Sequence, residues 1–94
     1  MIQLMIVDDE PLFRDFLVNF IPWKEYGFVI VAEAKNGLEA LKLADEHQPD
    51  VVLTDINMPK MDGIEFAQEL LKLAPETAIV FITGHNEFDY ARKA

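Results

Sequence analysis

Carboxylate side chains follow two short apolar runs of the sequence, at the point where each run ends. Asp8 and Asp9 come directly after residues 4–7, and Asp55 comes directly after residues 51–54. Continuous apolar runs of this length are typical of strands buried on both faces of a parallel sheet. The carboxyl ends of such strands meet at one edge, where converging carboxylates repel one another unless a cation lies between them. Because Mg²⁺ takes carboxylate oxygens and leaves positions for water or phosphate, the pattern indicates a divalent cation site.

A simpler interpretation is that these acids have only local structural roles. Asp8 and Asp9 would then cap a helix that begins near Pro11, and Asp55 would end a strand at a turn. Each residue taken alone fits that interpretation as well as the functional one. Their joint placement at one edge of the sheet favours the cation site.

The elements that must position these acids alternate between strands and helices along the chain. Strands are predicted at residues 4–7, 28–32, 51–54 and 78–82. Helices are predicted at about residues 11–21, 36–48 and 63–74, with a fourth beginning at residue 87. Right-handed crossovers between such strands predict an α/β fold with an open, doubly wound parallel sheet.

Two of the predicted helices carry broad apolar faces that we expect to pack on this sheet. In the first helix these residues are Leu12, Phe13, Phe16, Leu17, Phe20 and Ile21. In the third helix they are Ile64, Ala67, Leu70, Leu71 and Ala74.

The amino-acid composition limits the partners and the cellular compartment that we expect for this chain. The sequence of 94 residues has 17 acidic and 8 basic residues, and its net charge of −9 opposes binding to nucleic acid or anionic lipid. It has no cysteine, no signal peptide pattern and no run of roughly 20 apolar residues that could span a membrane. We therefore expect a single soluble domain over residues 1–94, in the cytoplasm, that binds neither nucleic acid nor membrane.

Three segments resemble the receiver domain of bacterial two-component response regulators. They are residues 6–11 (IVDDEP), 53–63 (LTDINMPKMDG) and 81–84 (FITG). The resemblance implies a flavodoxin-like receiver fold with strand order 2-1-3-4. It also implies that Asp55 accepts a phosphoryl group from a sensor histidine kinase, forming an aspartyl phosphate.

The same resemblance assigns the cation ligands. Asp9 and Asp55 would hold Mg²⁺ or Mn²⁺ through their side chains, Asn57 through its backbone carbonyl, and Asp8 through a bound water. The domain would catalyse only its own phosphorylation and dephosphorylation, and so would not be a conventional enzyme.

Three further residues resemble family positions around this site. Thr83 matches the hydroxyl that moves toward the phosphoryl group and switches the loop after the fourth strand, although a polar residue that simply closes a strand fits equally well. Pro59 and Gly63 match the turn beside the phosphoacceptor.

Two other segments, residues 21–28 and 84–91, look like receivers attached to helix-turn-helix output domains of the arabinose-regulator type. The phosphorylated receiver would then switch a downstream transcription domain. An aromatic loop that only closes one end of the core explains residues 21–28 equally well.

The chain departs from the family pattern in lacking a fifth strand and a fifth helix, together with the lysine that the family carries on strand five. We therefore expect residues 78–82 to form an apolar sheet edge that favours self-association. The chain itself is expected to be a fragment of a longer regulator.

Two other functions fit the acidic cluster. One is an interaction module that pairs with other receivers without phosphorylation. The other is a phosphatase of the haloacid-dehalogenase type, which needs an acid two positions after the nucleophile. That position is Asn57, which disfavours the phosphatase.

Overall fold

The computed structural model describes residues 1–82, in which strands and helices alternate. The strands are β1 (Ile2–Val7), β2 (Phe28–Ala34), β3 (Val51–Asp55) and β4 (Ala78–Ile82). The helices are α1 (Pro11–Phe20), α2 (Gly37–His47) and α3 (Gly63–Leu73), with a short 3-10 helix at Trp23–Tyr26. None of these helices has the length and apolar content needed to cross a membrane. The fourth helix, predicted from residue 87, lies outside the described residues.

The four strands form one parallel sheet in the order β2-β1-β3-β4. The chain leaves β1 toward β2 on one side and later returns to β3 on the other side. The strand order therefore reverses between β1 and β3, which opens a crevice at their carboxyl ends. Both the doubly wound fold and the predicted strand order are confirmed.

Alternate residues of β1 point to opposite faces of the sheet, and each face packs against helices. Leu4 and Ile6 are buried beside Leu17 of α1 on one face. The other face packs against α2 and α3. Its buried residues are Met5, Val7, Ala34, Ala40, Ala44, Val52, Phe66 and Leu70.

Each helix begins at a residue suited to that position. Pro11 opens α1, and the preceding Glu10 occupies the N-cap without a side-chain capping bond. Asn36 caps α2, while Asp62 caps α3 in a reciprocal capping box. Since the cap position of α1 falls on Glu10, helix capping does not explain the acids that precede it.

The prediction of a wide buried face on α1 is correct only in part, because Phe13 and Ile21 are partly buried against the core whereas three of the predicted residues are exposed. Leu17 is buried, whereas Leu12 is 85% exposed and Phe20 is 73% exposed. Phe16 is also exposed and stacks between Phe13 and Phe20 on the outside of the helix. Within residues 1–82, α1 is the one α-helix on this face of the sheet, with the 3-10 helix packed beside it through Trp23, so only a narrow stripe of α1 is covered.

The predicted buried face of α3 is correct only in part. Ala67 and Leu70 are buried, but Ile64 and Leu71 are exposed. Phe66, which the sequence pattern did not single out, is completely buried. The helix is rotated so that Phe66 and Leu70, four residues apart, face the sheet together.

Candidate functional site

The crevice between β1 and β3 brings the predicted acids together. Val7, the last residue of β1, pairs with Thr54 of β3. Asp8, which follows β1, and Asp55, the last residue of β3, therefore lie side by side. One carboxylate oxygen from each of Asp8, Asp9 and Asp55 lies within 4.8 Å of the others. Asp8 and Asp55 are buried and Asp9 is half-buried. Three carboxylates this close form a strongly negative site that suits a cation with oxygen ligands.

Asp8 is the most deeply buried of these acids. Its Oδ1 accepts a hydrogen bond of 2.9 Å from the Glu10 backbone N–H, while its buried Oδ2 has no hydrogen-bond partner. Burial raises the pKa of the Asp8 carboxyl, and the nearby Asp9 charge raises it further. The Glu10 N–H and the Arg14 charge act in the opposite direction. A buried carboxylate oxygen without a hydrogen-bond partner costs free energy of folding. A cation, or a water molecule bound to a cation, would give Oδ2 the missing partner.

Asp55 is held in a defined orientation at the end of β3. Its Oδ1 accepts a hydrogen bond of 2.8 Å from the Ile56 backbone N–H. Its backbone carbonyl accepts a hydrogen bond of 3.0 Å from the Thr54 hydroxyl. The carboxylate is therefore fixed to its own strand end, facing the two acids that follow β1.

Gly63 packs directly against the backbone of Asp55. A Cβ atom at Gly63 would overlap the Asp55 carbonyl oxygen, so a larger side chain does not fit there. The Gly63 N–H also donates a hydrogen bond of 2.8 Å to the Ile56 carbonyl. This close approach is a physical reason for the predicted site-shaping role of Gly63.

The turn from Asp55 to α3 contains the remaining predicted residues of this region. Asn57 lies two residues after Asp55 and is exposed. The Pro59 carbonyl accepts a hydrogen bond of 2.8 Å from the Met61 N–H, across Lys60, whose φ of 70° is left-handed. The Met61 carbonyl then accepts a bond from the first residue of α2. The turn is thus fixed at both ends, while the ligand role of Asn57 stays a prediction.

Thr83, the predicted switch residue, lies outside the described residues. The last residue before it, Ile82, pairs with Asp55 across β3 and β4. The end of β4 therefore lies beside the acidic cluster.

The sequence also matches a family model. Residues 4–94 match the model for the response regulator receiver domain. The chain belongs to this family. Receiver domains act in two-component signalling, where sensor histidine kinases phosphorylate them, and they are signalling domains rather than conventional enzymes.

Individual relatives agree with this membership. The transcriptional regulatory protein HptR of Staphylococcus aureus is 35% identical over 92 residues, covering 98% of this chain and 36% of HptR. A two component transcriptional regulator, AraC, from Clostridium phytofermentans has a similar structure, with 42% identity and a TM-score of 0.82, covering 98% of this chain and 74% of that one. CheY in a CheX–CheY–BeF3–Mg²⁺ complex from Borrelia burgdorferi is 30% identical with a TM-score of 0.79, covering 87% of this chain and 61% of that one.

The receiver domain thus spans about a third of the length of the curated relatives that it matches. Two of these relatives, HptR and the C. phytofermentans protein AraC, are transcriptional regulators, as the sequence resemblance implied.

One residue of the site was not identified from the sequence. Arg14 of α1 donates a hydrogen bond of 2.7 Å from Nη1 to the Asp8 carbonyl, and its Nε lies 3.5 Å from Glu33 Oε1. Arg14 lies six positions after Asp8, and Glu33 lies on β2. No short motif could have indicated this contact, because it depends on how α1 packs against the sheet.

Proposed function

We propose that this receiver domain accepts a phosphoryl group on Asp55 from the phosphohistidine of a sensor histidine kinase, with a divalent cation bound beside it. The observation that carries the proposal is the cluster of Asp8, Asp9 and Asp55, in which Asp8 Oδ2 is buried without a partner. Such a site favours a cation, and a cation would lower the repulsion between the acids and an incoming phosphoryl group.

The transfer itself needs a positioned nucleophile and little other chemistry. A carboxylate oxygen of Asp55 would form a bond to phosphorus while the bond from phosphorus to the histidine nitrogen breaks. The imidazole keeps the electron pair of the broken bond. The Ile56 N–H restricts rotation of the Asp55 carboxylate, which reduces the entropy lost in reaching the reactive geometry.

The cation would be Mg²⁺ or Mn²⁺, bound by the Asp9 and Asp55 side chains and the Asn57 backbone carbonyl, with Asp8 acting through a water. Carboxylate and carbonyl oxygens are the donors that these ions prefer. When bound, the cation would neutralise charge on the transferred phosphoryl oxygens. The similar CheY from B. burgdorferi was solved with BeF3 and Mg²⁺, which supports extending a cation site to this chain.

The response to phosphorylation would pass through Thr83 to a transcription output domain. In this proposal the Thr83 hydroxyl moves toward the phosphoryl group and changes the segment that follows β4. HptR and the C. phytofermentans protein are transcription regulators, and we extend that output to the protein in which this domain acts.

The same proposal includes the partners and the location of this receiver domain. The sensor histidine kinase is the phosphodonor, and a second copy would pair along the outer edge of β4, which no other strand of residues 1–82 covers. The net charge of −9 opposes direct contact with nucleic acid or membrane, so this segment would act through protein partners. Its proposed location is the cytoplasm.

Phosphorylation can be tested with a small phosphodonor. We expect the chain incubated with Mg²⁺ and acetyl phosphate to gain the mass of one phosphoryl group, and peptide mapping to place it on Asp55. Asp55→Asn removes the nucleophile and should abolish the gain. Asp45→Asn, at an exposed position of α2, should leave it unchanged.

Cation binding without any phosphorylation would contradict the proposal and favour the interaction module. Equal labelling of the wild-type chain and Asp55→Asn would place the phosphoryl group elsewhere and would also contradict it.

A further inference from the structure

The Arg14 side chain connects three elements next to the acidic cluster. Its guanidinium donates from Nη1 to the Asp8 backbone carbonyl at 2.7 Å, and Nε faces Glu33 of β2 at 3.5 Å. The side chain is only 22% exposed. Since a guanidinium is planar and rigid, two contacts from different nitrogens fix both its position and its orientation.

The backbone that Arg14 contacts is the segment from which the acids project. The Asp8 N–H is already bound to the Ala34 carbonyl at 3.0 Å, and the Glu10 N–H is bound to Asp8 Oδ1 at 2.9 Å. Arg14 supplies the bond to the Asp8 carbonyl. Together these three hydrogen bonds fix the direction in which Asp8 and Asp9 leave β1.

The atom that accepts the Arg14 hydrogen bond indicates that Arg14 positions the acids and does not act through its charge alone. The bond goes to the Asp8 carbonyl, whereas the carboxylate oxygen Oδ2 of Asp8 has no hydrogen-bond partner. Arg14 therefore orders the acidic segment while leaving this oxygen available to a ligand. Its positive charge alone would repel a divalent cation from the cluster.

We propose that Arg14 is a positioning residue that increases the affinity of the acidic cluster for a divalent cation by fixing the segment of Asp8 and Asp9. This inference rests on the proposed function, because it concerns the same cation site. Residues that do not touch the metal but hydrogen-bond to its ligands and orient them commonly support metal affinity, which falls when those residues are replaced.

Mg²⁺ titration of the full chain by calorimetry tests the inference, because charge and position predict opposite signs. Arg14→Gln should weaken Mg²⁺ binding roughly tenfold if the residue positions the acids. Loss of a repelling charge alone would instead tighten binding. Lys72→Gln removes the same charge from an exposed position on α3 and should leave the affinity unchanged.

Arg14→Lys provides a second measurement that keeps the charge. Lysine can donate one hydrogen bond but lacks the rigid fork, so we expect an affinity between those of the wild type and Arg14→Gln. A role of charge alone predicts no change in this variant. It also keeps the test decisive if Arg14→Gln does not fold.

Hydrogen exchange of the Glu10 amide in metal-free protein gives a readout that is independent of cation binding. Exchange should be faster in Arg14→Gln than in Lys72→Gln, since the Asp8 segment would be less constrained. If the wild type binds Mg²⁺ and Arg14→Gln binds it equally or more tightly, the inference is wrong while the proposed site stands. If the wild type binds no Mg²⁺, both are wrong.

Discussion

Gly63 lies so close to Asp55 that no side-chain carbon fits between α3 and the end of β3. The contact joins the start of a helix to the carbonyl of the proposed phosphoacceptor. The stability of the fold and the geometry of the site therefore depend on the same position.

Replacing this glycine should destabilise the domain and displace Asp55. We expect Gly63→Ala to lower the free energy of unfolding by about 3 kcal/mol, because its Cβ overlaps backbone that cannot move independently. Urea unfolding followed by circular dichroism measures the loss. Gln68→Ala, at an exposed position of the same helix, should change the free energy by less than about 1 kcal/mol. Equal effects of the two changes would contradict the steric argument.

The fold could be predicted from the sequence at the buried strands, because each of them is a distinctive apolar run. The apolar runs of β1 and β3, each followed by acids, predicted parallel strands and a shared edge, and the sheet order agrees. What could not be predicted depends on tertiary packing. The apolar residues of α1 are spaced as a buried face, but their coverage depends on which elements lie opposite, and Phe16 remains exposed.

The same distinction holds for the candidate site. Asp8 follows β1 and Asp55 ends β3, so their proximity could be inferred once the family resemblance placed these two strands side by side. The contact from Arg14 to the Asp8 carbonyl could not, since it requires the rotation of α1 about its axis. The complete burial of Phe66 likewise depends on how α3 is rotated on the sheet.

Phe66 should be among the most sensitive core positions of the domain. Its ring is completely buried between α3 and the sheet, so Phe66→Ala leaves a cavity and should cost about 4 kcal/mol. Ile64→Ala, two residues earlier and 48% exposed, should cost less than about 1 kcal/mol. Urea titrations of both variants at one pH compare them directly. A larger loss for Ile64→Ala would mean that α3 is rotated differently on the sheet.

Asp8 should make the metal-free domain less stable as the pH rises. Burial holds the pKa of this carboxyl above its ordinary value of 3.8, so the folded state binds more protons than the unfolded state between the two values. The free energy of unfolding therefore falls as the pH rises from below the unfolded pKa to above the folded one. Asp8→Asn removes this titration.

In the presence of a chelator, Asp8→Asn should be more stable than the wild type at pH 7, and the difference should shrink as the pH approaches 3.8. Adding Mg²⁺ at pH 7 should stabilise the wild type more than the variant. Urea unfolding across this pH range gives both results. Asp45→Asn, at an exposed position, is the control. Lower stability of metal-free Asp8→Asn at pH 7 would contradict the argument.

The outer edge of β4 should mediate self-association. Within residues 1–82 only β3 pairs with β4, and Phe81 is 44% exposed on that strand. An unpaired apolar edge can add a strand from a second chain, and a lysine there opposes such pairing. Sedimentation should reveal dimers of the wild type at high concentration, with association weakened roughly tenfold or more by Phe81→Lys.

Leu12→Lys adds the same charge to an exposed apolar position on α1 and should not alter association. A wild-type chain that stays monomeric at high concentration would contradict this prediction, and weakening by Leu12→Lys alone would place the interface on α1.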